Sequence, residues 1–434
     1  MTAQLRLNPR WLLPMTPDMP VLEHQSVFVQ DGQIIAIEEA SSTRTADQVI
    51  DLPDQALLPG YVNAHGHAAM TLFRGMADDL PLMTWLQDHI WPAEGRWVDA
   101  DFVRHGTELA IAEMISGGTT TFADMYFYPQ AVAEAALHCG MRAVIFTPIL
   151  DFPTNFAQSA NDYIQKALLT RDHYKHQPLL TFGLGPHAPY TVSDSPLRQI
   201  RILADELDLP VQIHLHETAF EVDDAVAKQG KRPLKRLFDI GFLTERVSCA
   251  HMTQINDDDL ALLQKSGASV VHCPESNLKL ASGFCPVDRL QKAGVRIALG
   301  TDGAASNNDL DLQGEMKTAA LLAKAVAGNA AALPAREALY MATMGGAHAL
   351  GIDKHTGSIE VGKFADLQTV DLSQLQQQPL YDPISQLVYT SSSHKVRHVW
   401  IAGQHLLADG QLTRQNPERL TELARQWRDR IRPS

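Results

Sequence analysis

The sequence predicts an α/β protein: a (β/α)8 TIM barrel with a small composite β domain built from the N- and C-terminal segments. Three observations predict this architecture. Short apolar runs alternate with helical patterns through the middle of the chain, hairpin patterns occupy the first 58 residues, and similar β patterns return after residue 358. Alternating strands and helices are typical of a parallel sheet, and eight such units can close into a barrel.

The barrel is predicted to span residues 59–358, where eight candidate strands are separated by helical segments such as LRQIRILADEL. These strands lie around Leu57–Val62, Thr119–Asp124, Ala143–Ile149, Leu180–Gly185, Val211–His216, Val247–Ala250, Ser269–His272 and Arg296–Thr301. Active sites in such barrels lie at the carboxyl ends of the strands. Polar side chains at those ends are therefore the candidates for chemistry.

The composite β domain is predicted from residues 1–58 and 359–434. Val27–Ala40 contains two alternating β patterns around Asp31-Gly32, a dipeptide that favours a tight hairpin turn. Near the other end, GSIEVGKFADLQTVDL and VRHVWIAGQHLLADGQL alternate apolar and polar residues around glycine turns. We expect these two segments to pair, with a charged amphipathic helix over residues 416–431 completing the domain.

Composition narrows the classes of function. The formal net charge of −14 argues against nucleic-acid or anionic-membrane binding, because phosphate groups attract clustered Lys and Arg. Four cysteines without a CxxC pair argue against a disulfide framework or a thiolate zinc site. The N-terminus lacks the apolar core of a secretory signal, and no run of about 18 apolar residues occurs, so we expect a cytoplasmic protein without a membrane partner.

Two histidines, His65 and His67, follow the first predicted strand in the run NAHGHAAM. Residues two apart on a strand point to the same face, so both imidazoles can converge on one point. Two converging imidazoles make half of a metal site. Taken alone, they could equally be solvated loop residues.

Other predicted strands also end in polar side chains that suit metal binding or acid-base work. These are His187, His214, His216, Glu217, His251 and Asp302. A lone histidine such as His251 is more often structural, and Asp302 before Gly303 could be a turn residue. The complete set at the ends of four or more strands instead favours one metal-dependent catalytic site.

The ordered motifs HGH (65–67), HLHE (214–217), AHM (250–252) and GTDG (300–303) resemble those of the amidohydrolase superfamily. Further strings resemble its branch of 5-methylthioadenosine/S-adenosylhomocysteine deaminases and TRZ/ATZ-like aminohydrolases. They are LPLMTWL (80–86), IWPAE (90–94), GLGPHAPYT (183–191), CPESNLKLASG (273–283) and TDGAASNN (301–308). The resemblance covers nearly the whole chain.

The resemblance implies four metal ligands, His65, His67, His214 and Asp302. His216 could share the face of His214, but the family pattern uses the histidine three residues before the glutamate, so we assign His216 a structural role. Binuclear relatives carry a bridging lysine on the fourth strand, and residues 179–191 contain none, which favours one divalent ion. Nitrogen and oxygen ligands suit Zn²⁺, with Fe²⁺ and Mn²⁺ as alternatives, and leave a position for water.

The resemblance also implies the catalytic roles. Glu217 would take a proton from the attacking water and pass it to a ring nitrogen of the substrate, which requires hydrogen-bond reach to both atoms. His251 would orient the nucleophile. Asp302 would accept the remaining hydroxyl proton as the amine departs. A helix-start role for Glu217 is compatible with this chemistry.

Substrate-binding residues follow from the same resemblance. Glu94, after the WP dipeptide, matches a glutamate that accepts ribose hydroxyls in adenosine-type deaminases, and His187 matches a histidine near the purine. Trp85 could form an apolar wall for the ligand or simply pack in the core. Ser306 could touch the ligand or serve the turn after Asp302.

The preferred nucleoside is predicted from the lack of arginines in the segment after the third strand. Relatives that accept S-adenosylhomocysteine hold its carboxylate with arginines after the third strand, whereas residues 148–172 contain only Arg171. Bidentate recognition of a carboxylate needs a guanidinium, and Phe152, Pro153 and Phe156 instead suit an apolar 5′ substituent. We therefore expect 5′-methylthioadenosine first, adenosine second and S-adenosylhomocysteine third.

Two other classes of function stay open at this point. One is an aminohydrolase of guanine, another nucleobase or an s-triazine, including triazine chlorohydrolases; Glu94 favours a nucleoside over these. The other is a non-catalytic barrel scaffold, against which the four ligands and Glu217 argue. The resemblance also implies a homodimer or homotetramer.

Overall fold

A computed structural model describes residues 4–390 and 395–432. Its strands in chain order are β1 (Leu5–Leu12), β2 (Leu22–Glu23), β3 (Gln25–Gln30), β4 (Gln33–Glu39), β5 (Gln48–Pro59), β6 (Tyr61–Asn63), β7 (Thr119–Met125), β8 (Arg142–Ile149), β9 (Leu180–Pro186), β10 (Val211–Leu215), β11 (Val247–His251), β12 (Ser269–His272), β13 (Ile297–Leu299), β14 (Leu367–Asp371), β15 (Val396–Ile401), β16 (Gln404–Ala408) and β17 (Gln411–Leu412). They form two sheets, one of eight strands and one of nine.

The α-helices cover the barrel and connect its strands. They are α1 (Leu82–Thr84), α2 (Trp91–Trp97), α3 (Ala100–Ser116), α4 (Pro129–Cys139), α5 (Ala160–Tyr174), α6 (Asp194–Leu207), α7 (Ala219–Gln229), α8 (Pro233–Asp239), α9 (Asp257–Ser266), α10 (Pro274–Lys279), α11 (Val287–Lys292), α12 (Leu312–Ala327), α13 (Ala335–Tyr340), α14 (Gly346–Ala349), α15 (Pro383–Tyr389) and α16 (Pro417–Ile431). Short 3₁₀ turns cover Ala68–Phe73 and Leu375–Gln377, and π-helical turns cover Trp85–Ile90 and Met341–Gly345. None of these described helices is long and apolar enough to cross a bilayer.

The eight-stranded sheet confirms the predicted barrel. Strands β6 to β13 pair in chain order, each parallel to the next. The ends of the sheet meet through the backbone, since the Ala64 amide donates to the Leu299 carbonyl at 2.9 Å and the Asp302 amide donates to the His65 carbonyl at 3.1 Å. Every residue of β8 is buried, as expected of a strand covered on both faces. Closure brings the two ends of the candidate motif set side by side.

The first predicted strand, around Leu57–Val62, is wrong as a single barrel strand. Leu57–Pro59 belongs to β5 in the other sheet, and only Tyr61–Asn63 enters the barrel. The chain crosses at Gly60, where a Cβ atom would lie only 2.0 Å from the Thr120 side chain. The apolar run continues without a break because both halves are buried, so hydrophobicity alone did not reveal the crossing.

The nine-stranded sheet unites the two ends of the chain, as predicted. β5 pairs in parallel with β1 and antiparallel with β14, so a late strand completes a sheet begun by the first residues. The predicted hairpin is β3–β4, with Asp31 and Gly32 at φ angles of 51° and 79°, in the left-handed region that such turns require. The division into domains at residues 58/59 and 358/359 stays a prediction.

The C-terminal helix is where the sequence placed it, but it packs on the barrel. Its N-cap residue, Asn416, accepts a hydrogen bond from the Arg419 amide at 3.0 Å. Its buried Trp427 contacts α3, with ring centroids 5.2 Å from Phe102 and the indole N–H 3.1 Å from the ring of His105. The helix therefore fastens the end of the described chain to the barrel wall.

Candidate metal centre and active site

Four side chains at strand ends converge at the barrel mouth. His65 and His67 follow β6, His214 lies within β10, and Asp302 follows β13. Asp302 Oδ1 lies 3.2 Å from His67 Nε2 and 3.6 Å from His65 Nε2, and His214 Nε2 lies 3.3 Å from His67 Nε2. These are the four ligands that the resemblance implied, and the structure brings them to one point.

The outer nitrogens of the three histidines are already engaged. Each Nδ1 lies 2.7 Å from an oxygen: His65 from Gln212 Oε1, His67 from the Met125 carbonyl, and His214 from the His187 carbonyl. A carbonyl oxygen only accepts, so the Nδ1 of His67 and of His214 must carry the proton. Their Nε2 atoms then present lone pairs to the centre, which is the arrangement found in metal-binding histidines.

The electrostatics of this cluster favour a positive charge beside Asp302, which a proton on His67 or a metal ion can supply. Burial lowers the pKa of His67, but the hydrogen bond and charge of Asp302 outweigh it and raise the pKa to about 9. Burial and the neighbouring histidines hold the pKa of His214 well below its usual value. His65 Nε2 is buried with no hydrogen-bond partner among the described residues. A cation at this point would satisfy the orphaned nitrogen and the Asp302 charge together, so these residues fit a divalent metal.

The second carboxylate oxygen of Asp302 is held from behind by two hydroxyls. Ser276 Oγ donates to Oδ2 from 2.7 Å, and Ser306 Oγ lies 3.0 Å from the same atom. Ser306 is 2% exposed and does not line the cavity described below. Its hydroxyl faces the Asp302 carboxylate, and the contact between Ser306 and the substrate stays a prediction. Sequence proximity to Asp302 did not reveal on which side the serine lies.

Glu217 and His251 stand beside the four predicted ligands. Glu217 Oε2 lies 3.8 Å from His251 Nε2, and Ser282 donates to Glu217 Oε1 at 3.3 Å. Burial, supported by the charge of Asp302, raises the pKa of Glu217 to about 8. His251 Nδ1 lies 2.9 Å from Asn277 Oδ1, a partner that the sequence did not indicate. A buried carboxyl with a raised pKa beside a fixed imidazole can exchange protons near neutral pH.

His216 turns away from the centre, as the sequence interpretation expected. Its Nε2 accepts a hydrogen bond from the Leu234 amide at 3.1 Å, and its Nδ1 lies 3.1 Å from the Gln254 carbonyl. Both ring nitrogens are thus engaged in packing α8 and the loop after β11. Its φ of 53° marks the bend that sends the chain out of β10.

A cavity of about 1090 Å³ opens above these residues. Glu94, His187 and Trp85 line it together with His67, Glu217 and Asp302. Glu94 accepts a hydrogen bond from the Tyr126 hydroxyl at 2.7 Å, and burial raises its pKa to about 7. His187 lies with its ring centroid 4.9 Å from that of His214, and burial lowers its pKa to about 3, so its ring is neutral. Trp85 is 6% exposed and its indole N–H has no partner among the described residues.

The outer part of the cavity contains two basic side chains that the sequence interpretation missed, Arg236 and Lys228. Arg236 is committed to protein oxygens: Nε lies 2.7 Å from Asp194 Oδ1, and two further nitrogens lie 2.6 and 3.0 Å from the carbonyls of Pro189 and Val192. The loop after β8 contributes Phe152, which is 43% exposed, and no arginine. The predicted ranking of nucleosides depended on the lack of arginine in that loop, whereas Arg236 belongs to α8.

The barrel, the strand-end histidines and the aspartate define a class of protein. Residues 56–406 match the amidohydrolase family, and the chain belongs to this family. A protein of Saccharophagus degradans named 5-methylthioadenosine/S-adenosylhomocysteine deaminase is 53% identical over 99% of this chain and 97% of its own. A 5′-deoxyadenosine deaminase of Methanothermobacter thermautotrophicus is 41% identical over 95% of this chain and 96% of its own.

Solved structures repeat the fold. An adenosine deaminase from Xanthomonas campestris, crystallised with bound zinc, superposes with a TM-score of 0.97 at 49% identity, covering 98% of both chains. A triazine hydrolase from an Arthrobacter species superposes with a TM-score of 0.93 at 23% identity, covering 100% of both chains. The second likeness shows the fold alone.

Proposed function

We propose that this protein is a metal-dependent hydrolytic deaminase of adenine nucleosides. The reaction proposed first converts 5′-methylthioadenosine and water to 5′-methylthioinosine and ammonia; adenosine ranks second and S-adenosylhomocysteine third. One observation carries the proposal: Glu217 stands beside the converging His65, His67, His214 and Asp302 in a cavity that also contains Glu94. The names of the relatives at 41–53% identity support the same class of reaction.

His65, His67, His214 and Asp302 would hold one divalent ion, for which Zn²⁺ is proposed and Fe²⁺ or Mn²⁺ are the alternatives. When bound, such an ion lowers the pKa of a coordinated water towards roughly 7 and so supplies a nucleophile at neutral pH. The zinc in the Xanthomonas structure supports this choice. The described strand β9 contains no lysine, which supports a single ion.

Glu217 moves the first proton. Its carboxylate accepts a proton from the attacking water and delivers it to the ring nitrogen next to the carbon that carries the amino group. Protonation of that nitrogen makes the carbon electrophilic, so that the oxygen adds and the ring becomes tetrahedral at that position. The raised pKa of Glu217, about 8, suits a group that must both accept and return a proton near neutrality.

His251 and Asp302 complete the proton route. The Nδ1–H of His251 donates a hydrogen bond to Asn277 Oδ1, so its Nε2 is free to accept one from the water and orient it. This Nε2 lies 3.8 Å from Glu217 Oε2. Asp302 accepts the remaining hydroxyl proton, and transfer of that proton to the amino group lets it leave as ammonia. The carbon–nitrogen bond breaks as the carbonyl of the product forms.

The side chains that would bind the nucleoside, Glu94, His187 and Trp85, line the cavity around the predicted metal ligands. Glu94 Oε1 already accepts the Tyr126 hydroxyl, which leaves the other oxygen to accept ribose hydroxyls. His187 stands beside the purine as a neutral ring, and Trp85 forms an apolar wall. The exposed Phe152 and the lack of an arginine in its loop support a small apolar 5′ substituent over a carboxylate.

The test is ammonia release from purified protein with 5′-methylthioadenosine, adenosine, S-adenosylhomocysteine, guanine and an s-triazine. Deamination of the adenine nucleosides alone is expected. Glu217→Gln should keep its metal, measured by elemental analysis, and lose about 10²–10⁴-fold in kcat, the contribution typical of a general base. Glu206→Gln on the exposed face of α6 is the control. A near wild-type rate for Glu217→Gln would discard the mechanism.

Assembly and location are also proposals. A homodimer or homotetramer is expected from the resemblance, and light scattering coupled to size-exclusion chromatography tests it. A cytoplasmic location and the absence of nucleic-acid and membrane partners stay predictions, the latter two from the net charge of −14.

A further inference from the structure

The end of strand β7 holds two parts of the active site at once. The carbonyl of Met125 lies 2.7 Å from His67 Nδ1 and so orients a predicted metal ligand. The hydroxyl of the next residue, Tyr126, lies 2.7 Å from Glu94 Oε1. The last residue of β7 and the residue that follows it therefore contact a predicted metal ligand on one side and the proposed nucleoside-binding carboxylate on the other.

The Tyr126 hydroxyl can act only as the donor in its hydrogen bond with Glu94. Tyr126 is 3% exposed, and burial beside the Glu94 charge raises its pKa well above the usual value, so the phenol stays protonated. It donates its single proton to Glu94, which leaves the other carboxylate oxygen directed elsewhere. Hydrogen bonds to a charged acceptor are about twice as strong as neutral ones, so the orientation of the carboxylate is well defined.

A second contact ties the backbone of the same helix to the barrel. Asn155, in the loop after β8, donates through Nδ2 to the Gly95 carbonyl at 2.8 Å. Gly95 is adjacent to Glu94 in α2, a helix with no fully buried residue of its own. Trp91, Ala93 and Trp97 pack α2 against the hydrophobic core, and the two polar contacts fix the Glu94 carboxylate and the Gly95 carbonyl on that helix.

We propose that Tyr126 is a positioning residue that sets the distance between the ribose-binding carboxylate and the metal centre, and so gives the enzyme its selectivity for intact ribose. This inference rests on the proposed function. Tyr126 does not touch the reacting atoms; it acts through Glu94. Its loss should weaken recognition of the ribose hydroxyls more than it weakens the chemistry at the purine.

The experiment compares adenosine with 2′,3′-dideoxyadenosine in the zinc-loaded enzyme. The ratio of the two kcat/KM values measures the use made of the hydroxyls. Tyr126→Phe is expected to shrink this ratio about tenfold, the equivalent of one charge-assisted hydrogen bond, mainly through KM for adenosine. Zinc content and the rate with the dideoxy substrate should stay close to wild type.

Two further variants separate positioning from a general structural loss. Tyr163→Phe removes another buried hydroxyl, which lies 2.7 Å from Thr154 Oγ1 in the loop after β8. This variant should leave the ratio of the two kcat/KM values unchanged. Glu94→Gln should shrink the ratio further than Tyr126→Phe does, and adding Tyr126→Phe to it should change nothing more.

Equal losses for both substrates in Tyr126→Phe, or additive losses in the double variant, would overturn the inference and leave the deaminase proposal intact. Calorimetric binding of inosine and 2′,3′-dideoxyinosine repeats the comparison without turnover. A wild-type protein that binds neither nucleoside would overturn the proposed function and this inference together.

Discussion

The guanidinium of Arg142 binds the carboxylate of Asp366 in a buried bidentate pair, with Nε 2.6 Å from Oδ2 and Nη2 3.2 Å from Oδ1. Arg142 begins barrel strand β8, and Asp366 precedes β14 of the nine-stranded sheet. The side chains are 7% and 0% exposed. The Pro178 carbonyl and the Ala402 amide satisfy their remaining polar atoms at 2.9 and 2.7 Å. The pair is thus a polar link between the two sheets, and further hydrogen bonds to Pro178 and Ala402 support the two side chains.

Asp366→Asn is expected to lower the free energy of unfolding by about 3–5 kcal/mol, because it leaves a buried guanidinium without its counter-charge. Urea denaturation followed by circular dichroism measures the change. Asp101→Asn is the control, since Asp101 is 70% exposed and pairs with Arg104 at 2.8 Å. It should cost no more than about 1 kcal/mol. Equal costs for the two variants would contradict the importance assigned to the buried pair.

Replacing two histidines on one strand end should give opposite results. His214→Asn is expected to lose most of the bound metal, because it removes a lone pair that faces the centre. His216→Asn is expected to keep the metal and to lose about 1–3 kcal/mol of stability, the penalty for leaving buried partners unsatisfied. Elemental analysis and urea denaturation give the two quantities. Metal loss in His216→Asn would reverse the ligand assignment.

Glu94 should make stability depend on pH. Its pKa is raised from 4.5 to about 7 by burial, against the opposing effects of Tyr126 and His67. Its contribution to stability is therefore complete below pH 4.5 and is lost as the pH rises through 7, since the unfolded chain releases the proton first.

Glu94→Gln cannot ionise, so its stability relative to wild type should increase between pH 5 and pH 8. The gain is at most about 3 kcal/mol at about 1.4 kcal/mol per pKa unit, and less because the carboxylate borders an open cavity. Denaturation of metal-free protein at both pH values measures it, because a bound cation would add its own effect. A difference between variant and wild type that stays constant with pH would refute the assigned shift.

The loop after β8 offers a direct test of substrate ranking. Phe152→Arg places a guanidinium at an exposed position on the cavity wall. It should raise kcat/KM for S-adenosylhomocysteine relative to 5′-methylthioadenosine by about tenfold or more, since a hydrogen-bonded charge pair contributes about 1.5–3 kcal/mol. Phe152→Met, of similar size without charge, should not. A wild-type preference for S-adenosylhomocysteine would overturn the ranking and direct attention to Arg236 and Lys228.

The barrel could be predicted from local sequence signals, whereas the four metal ligands were predicted from the resemblance to the amidohydrolase superfamily. Each strand is a short apolar run, and each predicted ligand stands at or just beyond a strand end, where the fold itself gathers side chains. The local pattern identified His65, His214 and Asp302 as candidates at strand ends, and the resemblance supplied their roles as ligands. Their positions follow once the strands are counted in order.

The partners that orient these groups could not be predicted in the same way. Gln212 lies 147 residues from the His65 ring that it holds, and Asn277 lies 26 residues from His251. Neither carries a pattern that distinguishes it from other buried amides. The role of Tyr126 could not be predicted either, because its partner Glu94 lies 32 residues away on a different element. The crossing at Gly60 likewise depends on contact with Thr120 across the sheets.

The pairing of β5 with β14 has a consequence for biosynthesis. About 300 residues separate Pro59 from Leu367, and ribosomes add roughly 5–20 residues per second. One edge of the 12-residue β5 therefore waits for roughly 15–60 s for the strand that covers it. An uncovered strand edge is a template for pairing with other chains. Nascent chains of this protein are thus most open to aggregation, and most in need of a chaperone, during the interval when the barrel is emerging but its last covering strand has not yet been made.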